Sequence, residues 1–384
     1  MAAQSPIYET IPRLASGPAW SHGTGARMDF ITAIPQDVYR GSGCFVGIQT
    51  LAKGLAQVNC DVAMITPEFH LPMLALERFI FNERLRWRTF RPGAITVGFD
   101  ADGYSIAGLR GRPHVASIKG VIGDVLPFER GAAKASVMLQ AHFEKLHARR
   151  ADLVITPSRY CAERLDELYG VRNAVVIPEL IDLNRWHNLL EQVGPSPDEG
   201  HYTVLCVCRF YARKRVDLLL RAAAMLRGRI PELEIRIVGG GMEAARLRSL
   251  WRELHLESTV KWIGDVTERE LAAEYQHSDV FCLPSVQEGF GIVFLEAMAA
   301  GKPIVAARSA AVPEVVEHGC LVEPDNAEAL AAAIETLYLN GGLRMRLGAE
   351  GLRAVQQFEM KRVARSFLNT VFPYGQKTRN RFWN

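Results

Sequence analysis

From Asp29 to the end of the chain, apolar runs of strand length alternate with amphipathic stretches of helical length, and the alternation runs through twice. A strand followed by a helix before the next strand returns parallel to its predecessor. The pattern therefore predicts the α/β class, with parallel sheets covered by helices. In the first pass FITAI (30–34), DVAMIT (61–66), AITVGF (94–99), HVASI (114–118), DLVITP (152–157) and AVVIP (174–178) read as strands, with helices at Val46 to Gln57 and around Ala132 to Arg149. The stretch HNLLEQVGPSPDEG (187–200), rich in Pro, Gly and acidic residues, interrupts the alternation and is the linker candidate. After it come TVLCVCRF (203–210), a helix from Val216 to Arg227, EIRIVGGG (234–241), a helix to Leu254, VKWIG (260–264), DVFCLPS (279–285) and PIVAA (303–307). A last helical segment starts at about Ala327 and runs to the tail RNRFWN (379–384). The division predicted is a loose N-terminal extension over 1–27, a first domain over 28–186, a linker over 187–200, a second domain over 201–361 and a C-terminal helix and tail over 362–384.

Composition supports this division. With 384 residues the chain can bury two cores of ordinary size, and 48% apolar with 23% charged residues excludes a disordered or fibrous protein. A net charge of +3 gives no reason to expect a nucleic-acid partner. The first 27 residues carry several prolines and glycines and no apolar signal core, and Glu296 and Lys302 break the longest later apolar region. No stretch reaches the roughly 18 uncharged residues that span a bilayer, so a cytoplasmic protein is expected. Seven cysteines, scattered and without paired metal spacing, read as buried free thiols.

The strongest local signal is SVQEGFGIVFLEAMAAGKPIVAA (285–307), in which a strand ends in a glycine-containing loop and a helix begins near Gly291 or Ile292. Unpaired backbone N–H groups and the positive dipole end at a helix start favour an anion, and Gly289 and Gly291 allow close approach. Glu288 lies before the helix and Glu296 about a turn inside it, so both reach one ligand and accept hydrogen bonds from sugar or ribose hydroxyls. The bland reading is that Glu288 caps the helix and Glu296 pairs with a surface base. In CRFYARKRVDLLLRAA (208–223), Arg209 closes a strand and Lys214 follows before a helix, placing two cations where open α/β sheets bind ligands. Two cations there would neutralise a diphosphate; the competing reading is a solvated basic loop.

GSGCFVG (41–47) opens a helix, but it spaces its glycines as GxGxxxG and QDVYR (36–40) separates it from the first strand, so it is a poor dinucleotide fingerprint. A glycine loop over a phosphate held by the opposite domain fits better, with a plain turn as the alternative. VGGG (238–241) reads as a sharp strand-to-helix turn. His142 and His147, five apart, lack helical metal spacing and read as helix-surface or groove residues.

Taken together, these residues resemble the family 4 retaining glycosyltransferases of the GT-B fold, over about Met28 to Phe358. The E-x7-E spacing of Glu288 and Glu296 is the most specific feature. Arg209 with Lys214, VGGG, VKWIGDV (260–266), VPEVVEHGCLVEPDNAEALA (312–331), GSGCFVGIQTLAKGLA (41–56), RRADLVITPSRYCAERL (149–165) and VIPELIDLNRW (176–186) follow in the family's order. The resemblance implies two Rossmann-like domains facing across a cleft, and a final helix that crosses back to the first. It implies that Arg209 and Lys214 bind the donor diphosphate, that Glu296 takes the ribose hydroxyls and that Glu288 contacts the donor sugar. Backbone groups of Phe290 and Gly291, beside Gly289, would bind sugar and phosphate, Gly43 would close over the diphosphate, and Asp265 and Val266 would border the base. Neither cofactor nor metal is implied, the cations replacing a divalent ion. The donor would be a UDP- or GDP-sugar and the acceptor a glycan, lipid-linked or small molecule, with peripheral membrane contact one way of reaching it.

Three departures stand out. Lys119 occupies the place of a histidine common after the strand ending PHVASI, where it would serve the phosphate or the transferred sugar or be a surface lysine. Cys208 and Arg215 replace two glycines, and Arg215 would add a cation to the donor site or face solvent. IPELID (177–182) lacks the usual Asn-Gly turn, which implies a stiffer hinge. The segment 68–90, aromatic and basic, reads as an acceptor loop or as packing on the sheet. A sugar-nucleotide epimerase, a Rossmann oxidoreductase and a non-catalytic sugar-nucleotide binding protein are the alternative functions.

Overall fold

The computed structural model describes residues 25–34, 43–69, 74–109, 111–194 and 200–380. The predicted extension up to residue 24, Gly41, part of the linker and the last four residues lie outside them.

The first alternation folds as β1 (Ala26–Ile31), α1 (Gly43–Gln57), β2 (Cys60–Ile65), α2 (Leu74–Arg84), β3 (Ile95–Phe99), β4 (His114–Ser117), α3 (Gly131–Arg150), β5 (Leu153–Thr156), α4 (Arg159–Tyr169) and β6 (Val175–Val176). The second gives α5 (Leu183–Glu191), β7 (Tyr202–Val207), α6 (Val216–Leu226), β8 (Leu233–Val238), α7 (Ala244–Glu253), β9 (Val260–Gly264), α8 (Glu268–His277), β10 (Val280–Leu283), α9 (Ile292–Ala299), β11 (Ile304–Ala307), α10 (Val312–Val315), β12 (Cys320–Val322) and α11 (Ala327–Leu339). Two further helices, α12 (Gly341–Ala354) and α13 (Met360–Asn380), complete the described chain.

Each alternation forms its own six-stranded parallel sheet, in the orders β2-β1-β3-β4-β5-β6 and β12-β11-β10-β7-β8-β9. Strand order reverses between β1 and β3 in the first sheet and between β7 and β10 in the second. At such switch points the loops leaving neighbouring strands diverge and open a crevice at their carboxyl ends.

Some boundaries differ from the sequence expectation. β1 begins at Ala26 and ends at Ile31, earlier than the apolar run FITAI suggested, because its register against β2 starts at Ala26 with Cys60. β12 was not anticipated. Within the segment 68–90, read as a loop, α2 forms a helix whose Phe81 packs with Ile65 and Ile106. α5 occupies the start of the predicted linker and belongs to the second core: Leu183 and Trp186 are buried with it, and the Trp186 indole N–H donates to the Glu296 carbonyl at 3.1 Å.

The chain crosses between domains twice, at adjacent places. Ile181 bridges Glu359, with Ile181 N–H donating to Phe358 O (3.0 Å) and Met360 N–H to Ile181 O (2.9 Å). Beyond that crossing α13 returns to the first domain, as the resemblance implied, burying Val363, Ala364, Phe367 and Val371 against Ile48, Leu51 and Leu55 of α1. All seven cysteines are free, five buried and two half-buried. No described helix is long and apolar enough to cross a membrane.

Candidate active site

Both switch points open toward the same cleft, and the predicted donor residues flank the one between β7 and β10. Arg209 and Lys214 follow β7; the loop of Glu288 to Gly291 follows β10 and leads into α9. Gly291 supports the sharp entry into that helix: its φ is 90°, and a Cβ there would lie 2.6 Å from the Phe294 ring. An L-side chain resists both conditions. The first turn of α9, whose leading N–H groups lack intrahelical partners, therefore begins directly after this glycine loop.

Across the crevice Lys214 Nζ lies 2.5 Å from Glu288 Oε1, with both side chains largely buried. Arg209 Nη1 donates to Asp265 Oδ1 at 2.9 Å, which brings the predicted base-bordering loop of Asp265 and Val266 beside the first cation. Neither bland reading of the glutamates holds, since Glu288 pairs with Lys214 and Glu296 accepts from the Tyr275 hydroxyl at 2.9 Å. Desolvation pushes the Glu296 carboxyl up to about 7, against the hydrogen bond from Tyr275, which lowers it. Arg215 neither joins the donor cations nor faces solvent; it is half-buried in an ion pair with Asp217 (3.2 Å) and another with Asp325. The VGGG turn is the expected sharp one, Gly239 lying so close to Cys208 that a Cβ would meet its carbonyl oxygen at 2.2 Å.

On the facing wall Gly43 starts α1 after β1, and Asp100 follows β3, so these two flank the first sheet's switch point. Asp100 Oδ1 accepts from the Lys119 backbone N–H (2.8 Å) and Oδ2 from the Cys44 thiol (3.4 Å). Burial raises the pKa of both Asp100 and Cys44. Lys119 is no surface lysine: its ammonium is held by Glu179 at 2.9 Å and the side chain is 11% exposed.

Beneath Asp100 lies a buried pair that sequence reasoning missed. His147, read as a surface or groove residue, is fully buried, because α3 turns this face onto the loop after β3; His142 is exposed. His147 Nδ1 is 2.5 Å from the Asp100 carbonyl oxygen, so it must donate, and Nε2 then accepts from His114 Nε2–H at 2.8 Å. His114 Nδ1 in turn accepts from the Thr96 hydroxyl at 2.8 Å. Desolvation keeps the pair neutral, holding His114 well below its usual range and His147 at about 4. Asp102, two residues on, is locked by Arg78 (2.8 Å), Asn82 (2.9 Å) and the Ala33 N–H (2.7 Å). The loop after β3 is thereby fixed from below, and no sequence motif announces it.

The two walls touch. Ser158 donates to Gly289 O (2.8 Å), Gln287 to Asp124 Oδ2 (3.1 Å), and the Glu314 carboxylate accepts from Arg159 and Tyr160 N–H (2.8 and 2.7 Å) at the start of α4. Gly289 packs on Lys119 so closely that a Cβ would be 2.8 Å from its carbonyl oxygen.

Two parallel-sheet domains with helices on both faces and a cleft between their carboxyl edges define the GT-B fold. Sucrose-phosphate synthase from Thermosynechococcus elongatus superposes over 93% of this chain and 99% of its own, at a TM-score of 0.74 and 22% identity. HepE from Anabaena in complex with UDP-glucose does so over 90% and 99%, at 0.68 and 19%. The pattern described as Glycosyltransferase Family 4 matches residues 41–185, and that described as Glycosyl transferases group 1 matches residues 191–353. The chain belongs to the family 4 glycosyltransferases.

Among curated relatives, the GDP-mannose-dependent alpha-(1-6)-phosphatidylinositol monomannoside mannosyltransferase of Mycolicibacterium smegmatis is 30% identical over 223 residues, covering 52% of this chain and 56% of that protein. The D-inositol 3-phosphate glycosyltransferase of Pseudarthrobacter chlorophenolicus is 36% identical over 165 residues, 41% of this chain and 39% of that protein. The chain thus spans about half the length, or less, of the curated relatives it matches.

Proposed function

We propose that the protein transfers a sugar from a UDP- or GDP-sugar to an acceptor hydroxyl with retention of anomeric configuration and without a metal. The observation that carries this reading is the crevice between β7 and β10, where Arg209, Lys214 and the first turn of α9 converge with two glutamates. Two cations and a helix start suit a diphosphate, and they supply the charge neutralisation that a divalent ion would otherwise bring. As the C1–phosphate bond breaks, Arg209 and Lys214 meet the charge growing on the departing diphosphate, a stabilisation typically worth about 3–4 kcal/mol per group. Lys214 is drawn to Glu288 until the donor arrives; the phosphate then competes for the ammonium and leaves Glu288 to accept a sugar hydroxyl. Glu296 accepts the ribose hydroxyls, an exchange that favours its charged form over the desolvated neutral one. Contacts of Ser158, Gln287 and Glu314 across the cleft hold it closed, which excludes water and favours transfer over hydrolysis.

The acceptor faces the first domain. There Phe79 of α2 and Met138 and Leu139 of α3 are exposed, with Phe79 against Phe143 at 5.9 Å. These exposed apolar side chains support an acceptor carried on a lipid and met at a membrane surface.

Thermal stability against UDP, GDP, ADP and NAD without added metal tests the donor site, with Glu296→Ala as control. A shift with one nucleoside diphosphate that vanishes in the variant is expected. A shift with NAD alone would indicate an oxidoreductase. Release of nucleoside diphosphate only when an acceptor is supplied separates the transferase from an epimerase and from a binding protein, and the anomeric NMR signal of the product decides retention.

A further inference from the structure

Glu179 lies in the crossing between β6 and α5, and both its carboxylate oxygens approach one ammonium, Oε1 at 2.9 Å and Oε2 at 3.1 Å from Lys119 Nζ. Its side chain is 5% exposed. The same carboxylate lies against α1: a Cβ on Gly47 would be 2.6 Å from Oε2 and 3.3 Å from the Ile292 side chain, which opens α9 on the donor domain. Four segments thus meet at this ion pair, namely the end of β4, the domain crossing, α1 and the start of α9. The third glycine of GSGCFVG has its explanation here, since any side chain would displace the carboxylate.

A buried ion pair is seldom kept for stability, because apolar residues of the same volume fill such a place as well. A lysine alone in a cleft also spreads its ammonium over many rotamers. Glu179, with both oxygens on the one ammonium, removes that freedom and offsets the charge, which suits the pair to an uncharged hydroxyl. An ammonium carries three N–H groups and the two carboxylate oxygens engage at most two, leaving one for a ligand.

We propose that Glu179 is the positioning residue for Lys119, holding the ammonium on the cleft floor so that its remaining N–H donates to a hydroxyl of the transferred sugar. The inference rests on the donor site described under Proposed function. Calorimetric titration of UDP, UDP-glucose, GDP and GDP-mannose into the wild type, Glu179→Gln, Lys119→Met and the double variant tests it. For the nucleotide that the wild type binds, Glu179→Gln should leave nucleoside diphosphate affinity within about twofold and weaken the nucleotide sugar about tenfold, the scale of one charge-assisted hydrogen bond. The double variant should fall no further than either single one. Gly47→Ala keeps both charges and pushes the carboxylate aside, so it should reproduce the loss. Equal losses for diphosphate and nucleotide sugar, additive losses in the double variant, or a lowered Tm with unchanged binding would each overturn the role of Glu179. A wild type that binds neither UDP nor GDP would overturn the donor site itself, and the role of Glu179 with it.

Discussion

The two walls of the cleft reach similar geometry by different means. On the donor wall the reactive groups sit within a few residues of a strand end or a helix start: Arg209 and Lys214 after β7, Glu288 and Glu296 around the entry to α9. On the facing wall Asp100 and Lys119 also follow strand ends, but they are held from beneath by buried partners, the His147–His114 pair under Asp100 and Glu179 on Lys119. Arg209 and its partner Asp265 keep more exposure, which suits groups proposed to exchange partners when a ligand arrives. Burial leaves the other wall preformed and sensitive to anything that disturbs its supports.

The largest expected effect lies on the donor wall. Lys214→Ala should lower kcat by about 10²–10³-fold, the scale of one lost electrostatic donor, and should also lower Tm, because it leaves the buried Glu288 carboxylate without its partner. Normal turnover would remove Lys214 from the site. Glu296→Ala should weaken nucleoside diphosphate binding by about 10- to 150-fold if its hydroxyl contacts are charge-assisted, read from the loss of the thermal shift.

The walls should also answer pH in opposite directions. Burial holds Glu296 at about 7 against the ordinary 4.5, so the folded protein keeps that proton longer than the unfolded chain. Its contribution to stability is present below about 4.5 and lost as pH rises through 7. His147, depressed from 6.5 to about 4, contributes stability that is present above 6.5 and lost as pH falls through 4. Urea melts of wild type, Glu296→Gln and His147→Gln between pH 4.5 and 8 check both signs. The glutamine at 296 should remove the decline toward neutral pH, and the one at 147 the decline toward acid. His147→Gln should also cost about 1–3 kcal/mol at pH 7, since it leaves buried polar groups without partners. The smallest effect is expected at the contact between the walls: Glu314→Ala removes the carboxylate that caps α4 and should cost about 1 kcal/mol, visible as a raised KM for acceptor rather than a lowered kcat.

Much of this was legible beforehand. The E-x7-E spacing, the glycine at 291 and the cations after a strand placed the donor wall, because a strand end, a turn and a helix start are all short-range features. His147 was misplaced because spacing along a helix says which residues share a face and nothing of what that face meets. Arg215 was misread for a similar reason, since its partner Asp325 is distant in sequence. Lys119 stands out in the sequence as a departure at a strand end, and Glu179 only as part of IPELID, an unrelated departure in the crossing. Only the packing of β4, α1 and the crossing shows them to be a pair.

By itself the sequence determined the class, the two alternations, the strand-and-helix periodicity and the donor motif, since these depend on hydrophobic period and local backbone chemistry. Tertiary structure alone decided that α5 packs on the domain opposite to the one its sequence neighbours suggest, and which buried charges are paired. Those outcomes depend on contacts between residues tens to hundreds of positions apart, whose energies are set by burial and distance, quantities that no local pattern carries.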